Sequence, residues 1–433
     1  MNKTQSTKDT LKAVALILMG LFLFLSGLGA VIGYLGLPLL GEDLLGAQLG
    51  QMAAIFLGLG GGILAIYHGA GILLNKPSGS MKLPPYYLLW ISFALVLAIG
   101  NALMVIEVAQ TYIFPFLFLL GAALPTVAVV SWTGRRLSWP TSWRQTSLTF
   151  VFGATLSVLL VFMLAGIFAL AIYTLYPLED MLYYMGLEAA AGTTGLFERV
   201  MLSPAILVFM LVIAFQAPIP EELTKGLAVP FYGRSHIQNE RQAFLMGLAA
   251  GAGFAILENM LYQGIYAQWS GWTWGGITLL RGFGSVLHPL CTGIVALGWY
   301  RSGNGRWMPL FKAYAVAVIL HTLWNGGFNP LVYLTGLDQV AYSVGETGVS
   351  LYGMSVQIGL ILYLVMLTVG LWWLLRRITL QLAEEEAPKL MPVRVSTRAV
   401  AVWAFVCALF IVPIGAAIGP AWQDLQTVLF TGF

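Results

Sequence analysis

Runs of roughly twenty apolar residues, separated by short polar stretches, recur from one end of the chain to the other. They fall near residues 12–38, 50–74, 84–106, 112–132, 147–176, 201–230, 242–266, 278–300, 312–330, 351–375 and 399–420. A helix rises about 1.5 Å per residue, so about 20 apolar residues cross the hydrocarbon core of a bilayer. Strands of a membrane barrel would be shorter and would alternate in polarity, and nothing here alternates. The pattern predicts an all-α, polytopic transmembrane helix bundle of about 11 spans. The first run is too long for a signal-peptide core and lacks a small-residue cleavage site, so it reads as a retained span.

Composition agrees. Of 433 residues, 59% are hydrophobic and 9% charged, against about 25% charged in soluble domains. The net charge of +3 is too small to suggest nucleic acid as a partner; the lipid bilayer is the expected surroundings. Cys291 and Cys407 lie inside apolar runs, which excludes a disulfide framework or a thiolate metal site.

The distribution of charge is more informative than its sum. Lys3, Lys8 and Lys12 precede the first span, and alternate loops carry Lys76, Lys82, Arg135, Arg136, Arg144, Arg234, Arg241, Arg301, Arg306 and Lys312. The loops between them are acidic, with Arg199 the one basic residue among them. By the positive-inside rule the N-terminus is cytoplasmic, and a multi-pass protein of the plasma membrane is expected. Residues 177–200 read as an interfacial segment, and residues 376–398, with Glu384, Glu385, Glu386, Pro388 and Pro392, as a solvated cytoplasmic linker. The organisation expected is an N-terminal scaffold over 1–200, a polar core over 201–330 and C-terminal spans over 331–433.

Once the loops are accounted for, Glu221, Glu222, Lys225, Glu258, Arg281, His288 and His321 remain at membrane depth, with His68 alone in an earlier span. A charge there costs about 2.5–3.5 kcal/mol on insertion scales, so such residues are paired or functional. Glu221 and Glu222 stand four and three residues before Lys225, so either carboxylate can meet the ammonium. Phe254, Glu258 and Tyr262 share a helix face, and Asn259 follows Glu258. Arg281 precedes His288 by two turns, and His321 stacks over Asn325. A structural ion pair, a hydrogen-bonded buried acid or a snorkelling Arg281 would each account for one motif alone. The concentration of so many in neighbouring spans favours a shared site.

Carboxylates and imidazoles buried together support water activation, metal binding or proton relay. Glu and His suit zinc, and the candidate ligands are Glu222, Glu258, His288 and His321. A metal-free centre would use one Glu as general base, with His and Asn stabilising an oxyanion. A proton- or ion-coupled transporter uses the same residue types, and a catalytically idle membrane scaffold is a further alternative.

Glu221-Glu222-x-x-Lys225, Phe254-x-x-x-Glu258-Asn259, Arg281 with His288, and His321-x-x-x-Asn325 together resemble the PrsW family of intramembrane proteases, related to the CAAX-prenyl endopeptidases and the Abi group. The resemblance spans roughly residues 200–330. It implies an endopeptidase acting on a membrane-anchored protein or peptide, in some members an anti-sigma factor. It also implies that Glu221 and Glu222 activate water, that Glu258, His288 and His321 complete the catalytic site, and that Asn325 donates to the oxyanion. Lys225, Asn259 and Arg281 would support them. The CAAX relatives carry histidine where this chain has Glu258.

Overall fold

The computed structural model describes residues 7–36, 45–175, 214–232, 237–267, 271–302, 306–327 and 351–384, with residue 402 alone beyond them. Among these residues every regular element is helical, and β pairing is confined to a bridge between Ser80 and Ser142. Among the described residues, eight stretches are long and apolar enough to cross a membrane: Thr10–Gly36, Gln48–Leu73, Tyr86–Leu103, Phe114–Arg136, Trp143–Ile167, Glu240–Gly264, Trp274–Arg301 and Ile358–Ala383. The run expected at 312–330 forms a further helix, Met308–Gly326. The run at 399–420, the segment 177–200 and Cys407 lie almost wholly outside the described residues.

The N-terminal half contributes α1 (Thr7–Gly36), α2 (Leu45–Ile55), α3 (Gly62–Leu73), α4 (Tyr86–Leu103), α5 (Glu107–Tyr112), α6 (Phe114–Arg136), α7 (Trp143–Phe152) and α8 (Val158–Leu175). Single π turns join α2 to α3 and α7 to α8. Then come α9 (Pro218–Gly226), α10 (Ala228–Tyr232), α11 (Glu240–Ala267), α12 (Gly271–Phe283), α13 (Leu287–Arg301), α14 (Met308–Gly326) and α15 (Leu351–Ala383).

Two expectations from the apolar pattern change here. Within 214–232 the helical hydrogen bonding is interrupted at Ala217 and Leu227, where the backbone dihedrals stay right-handed helical, so α9 is nine residues long. Pro218 explains the break, because proline lacks the amide hydrogen a helix interior needs and is best placed in a first turn. The segment expected to begin a linker at 376 instead continues α15 to Ala383. Arg241 closes that helix end, donating from Nε to the Leu382 carbonyl at 2.7 Å and from Nη2 to the Ala383 carbonyl at 2.8 Å. These are terminal carbonyls with no partner inside the helix.

Outer helices carry their large apolar side chains outward. On α15, Ile361, Leu362, Val365, Met366 and Val369 are all exposed, as a lipid-facing surface requires. Between helices in lipid, close packing replaces the hydrophobic effect as the cohesive force, and α11 shows how. A Cβ at Gly251 would collide with the His288 carbonyl, and one at Gly253 with the Phe150 carbonyl. Small residues therefore let α13 approach one side of α11 while α7 approaches another. The N-terminal helices are thus part of the wall around the core: Ser157 Oγ donates to the Thr224 carbonyl at 3.4 Å, and the Ala122 carbonyl accepts from Asn259 at 3.2 Å.

Candidate active site

The break at Pro218 starts a short helix whose first turn presents Glu221. A helix N-terminus favours negative charge there. Glu221, Glu222 and Lys225 are all buried, and the ammonium meets both carboxylates, as their spacing predicts. Lys225 Nζ donates to Glu222 Oε1 at 2.7 Å and to Glu221 Oε2 at 3.3 Å. Its third contact is Nδ1 of His288, at 2.9 Å. Beneath it, the Phe254 ring centroid is 4.4 Å from Nζ, a cation–π contact of a kind strengthened by desolvation.

His288 stands at the start of α13, where a short 3-10 turn, Gly284–Val286, links it to α12. His321 comes from α14, and the two imidazoles pack edge to face with centroids 4.8 Å apart. Nδ1 of His321 lies 2.8 Å from Glu222 Oε1. A carboxylate only accepts, so His321 carries its proton on Nδ1 and leaves the Nε2 lone pair free. An ammonium only donates, so a neutral His288 accepts at Nδ1 and holds its proton on Nε2. That Nε2 is 2.6 Å from Glu258 Oε2, but the alignment is not that of a hydrogen bond.

Glu258 is anchored from the other side. Arg281 forms an ion pair with its carboxylate through Nη2 and donates from Nε to Asn259 Oδ1 at 2.8 Å. The guanidinium also lies over the Tyr262 ring, 4.6 Å from its centroid. Arg281 is therefore held inside the bundle and does not snorkel to a membrane surface. Breaking such a buried pair from one side typically costs about 3–5 kcal/mol.

All seven ionisable residues expected at membrane depth between 221 and 321 belong to this one connected centre. His68 stands apart: its contacts are with the Tyr67 and Trp143 rings. Asn325 sits one turn beyond His321 on α14, half-buried. Cys291 is a buried free thiol 3.6 Å from the Ala317 carbonyl.

The donor set fits a metal ion. Glu221, His288 and His321 each offer a ligand atom, all within 4.8 Å of one another, and both histidine Nε2 atoms are buried without a hydrogen bond. Two imidazoles and a carboxylate are the ligand set of one class of catalytic zinc site, and holding Nδ1 by an outer partner is how such ligands are oriented. Glu222 and Glu258, expected from the sequence among the ligands, lie in the same centre, against His321 and His288 and paired with Lys225 and Arg281. Glu221, paired with Lys225 as well, is the carboxylate grouped with the two histidines by distance.

The reading from sequence left out several neutral groups around the centre: Gln263, Trp274, Thr278 and Asn101, all with buried side-chain atoms lacking a partner. Helical spacing was the available signal, since Gln263 follows Asn259 by four residues and Thr278 precedes Arg281 by three.

The model of the PrsW family intramembrane metalloproteases matches residues 141–349, which contain every residue of this centre. The match supports placing this region in that family, and the chain among the intramembrane proteases, with a metal implied by the family's description. No curated protein and no solved structure matches the chain.

Proposed function

We propose that the centre hydrolyses peptide bonds of a membrane-anchored protein within the bilayer. The observation that carries this reading is the gathering of Glu221, His288 and His321, each offering a ligand atom within 4.8 Å of the others, with His321 Nε2 3.8 Å from Glu221 Oε2. Beside them Glu222 keeps one carboxylate oxygen, Oε2, buried and unpartnered. Glu222 Oε2 takes a proton from water as the water oxygen bonds to the scissile carbonyl carbon. The C–N bond then breaks, and the proton passes to the departing amine nitrogen. Lys225 and His321 hold Glu222 by Oε1, leaving Oε2 for this transfer. Asn325, one turn beyond His321 on α14, would donate to the developing oxyanion.

A metal, zinc by its ligand chemistry, would be held by Glu221, His288 and His321. When bound it supplies Lewis-acid polarisation of the water and carbonyl. His288 would serve as a ligand through Nε2 in its other neutral tautomer, with its Nε2 proton given to Glu258, 2.6 Å away, and a proton received at Nδ1 from Lys225, 2.9 Å away. Glu258 thereby acts through His288, and Arg281 and Asn259 hold Glu258 in position.

The basic residues support an eleven-span arrangement with a cytoplasmic N-terminus in the plasma membrane, and the domain limits given above. An anti-sigma factor anchored by a single span would suit such an enzyme. Kinship with the CAAX-prenyl endopeptidases extends to the order of the motifs, with Glu258 where those proteins carry histidine.

Glu221→Gln, Glu222→Gln and His321→Ala are each expected to abolish cleavage of a co-expressed single-span reporter while the protein accumulates normally. Retained cleavage in all three overturns the proposal. Elemental analysis tests the metal separately. Stoichiometric zinc should be present in the wild type and lost in His288→Ala and His321→Ala; an active wild type without zinc removes the metal from the scheme.

A further inference from the structure

A second polar cluster lies inside the bundle, beyond the Glu258 end of the charged centre. Asn259 and Gln263 occupy one face of α11; Trp274, Thr278 and Arg281, spaced by four and three residues, occupy one face of α12. Gln263, Trp274 and Thr278 are fully buried. Neither atom of the Gln263 amide has a protein partner, nor do Trp274 Nε1, Thr278 Oγ1 or the nearby Asn101 Oδ1. A buried polar group without a partner costs about 1–3 kcal/mol, so several together mark a place where something supplies the missing hydrogen bonds.

The side chains meet at Gly121 on α6. A Cβ built there would stand 3.2 Å from Thr278 Cγ2, 3.4 Å from Trp274 Cζ2 and 3.6 Å from Gln263 Oε1. The three side chains therefore converge on one point of the α6 backbone. The neighbouring Ala122 carbonyl accepts from Asn259, whose Oδ1 accepts from Arg281, which pairs with Glu258. Asn259 thus lies between the charged centre and Gln263, which follows it by one turn of α11. Gln263 is about 7.5 Å from Glu258 along the helix, at about 1.5 Å per residue.

We propose that this cluster is a chamber for ordered water that supplies the hydrolytic centre. Its occupant must both donate and accept, because the unpartnered atoms include donors (Gln263 Nε2, Trp274 Nε1), acceptors (Gln263 Oε1, Asn101 Oδ1) and a hydroxyl that does either. A cation or an anion would satisfy only half of them. Water meets both, and buried waters typically make two to four such bonds. The supply role rests on the proteolytic reading, since hydrolysis consumes a water at each turnover in a site walled by apolar helices.

X-ray radiolytic footprinting of the full-length protein in lipid nanodiscs tests the chamber without reference to activity, because hydroxyl radicals formed from bound water oxidise adjacent side chains. Trp274 is expected to be oxidised readily despite its complete burial. Labelling should fall severalfold in Gln263→Leu with Thr278→Val, and in Gly121→Ala, which keeps every polar group and crowds Thr278, Trp274 and Gln263 with an added methyl. Cleavage of the single-span reporter should fall severalfold in kcat in both variants, with little change in KM. An unlabelled Trp274 in the wild type, or labelling unaffected by both variants, overturns the chamber. Labelling lost with kcat unchanged overturns the supply role. If no reporter is cut by the wild type while the labelling behaves as stated, the proteolytic reading fails and the chamber stands.

Discussion

Two polar regions share the interior of this bundle and are built on opposite principles. In one, Glu221, Glu222, Lys225, Glu258, Arg281, His288 and His321 pair with one another, acid against base, across α9, α11, α12, α13 and α14. In the other, Asn101, Gln263, Trp274 and Thr278 are neutral and leave hydrogen-bonding atoms without protein partners. The difference follows from what each group costs to bury. An isolated charge in an apolar medium is prohibitive unless paired, whereas a neutral amide or hydroxyl costs a few kcal/mol and can be satisfied by water. The charged region must therefore be preassembled by the protein, and the neutral one can remain available to a mobile occupant.

The strongest way to break the charged region is to remove its free base. Glu222→Gln keeps the shape of the side chain, and an oxygen that still accepts from Lys225, but cannot take a proton. Reporter cleavage is expected to drop by about 10²–10⁴-fold, read from product bands in a time course. A smaller loss would mean that another carboxylate serves as base, and Glu221→Gln measured in parallel would identify it.

Removing the shared cation should act mainly on stability. Lys225→Met strands two buried carboxylates and is expected to cost about 3–5 kcal/mol, seen as a lowered melting temperature in detergent. Adding Glu222→Gln to Lys225→Met should recover part of that loss, because one unpaired charge disappears. An additive double variant would show that the pair is not energetically coupled.

Arg281→Met tests the link between the two regions. It leaves Glu258 in place without its guanidinium partner, and cleavage is expected to fall about 10–100-fold, the usual effect of losing an outer partner of a ligand. Zinc content should fall with it, since Glu258 meets His288; intact zinc and intact rate would reduce Arg281 to a structural role. The smallest effect should come from Arg301→Ala. Arg301 pairs with Glu240 at the exposed end of the bundle, 51% accessible, where such pairs contribute at most about 1 kcal/mol. A melting shift as large as that of Lys225→Met would overturn the distinction between buried and surface pairs drawn here.

Much of the charged region was legible because charge inside an apolar run is conspicuous. Every carboxylate, imidazole and cation of the centre stood out on that ground, and helical spacing alone brought Lys225 to Glu221 and Glu222. The neutral region was not legible in the same way, since Gln, Thr and Asn in an apolar helix are common and cheap. Only the meeting of α6, α11 and α12 at Gly121, with α4 packed against Trp274 and Gly275, turns them into a cluster.

Read as a sequence, the chain determines its helical class, its membrane setting and the set of groups able to do chemistry, because these depend on local composition and on the cost of burying charge. Which atom of each group is left free depends on partners brought from other helices. Tertiary packing ties Nδ1 of His288 to Lys225 and Nδ1 of His321 to Glu222, turns their Nε2 atoms toward Glu258 and Glu221, and pairs Glu222 with Lys225 and Glu258 with Arg281. Hydropathy sums side chains along one segment; a hydrogen bond is made between two.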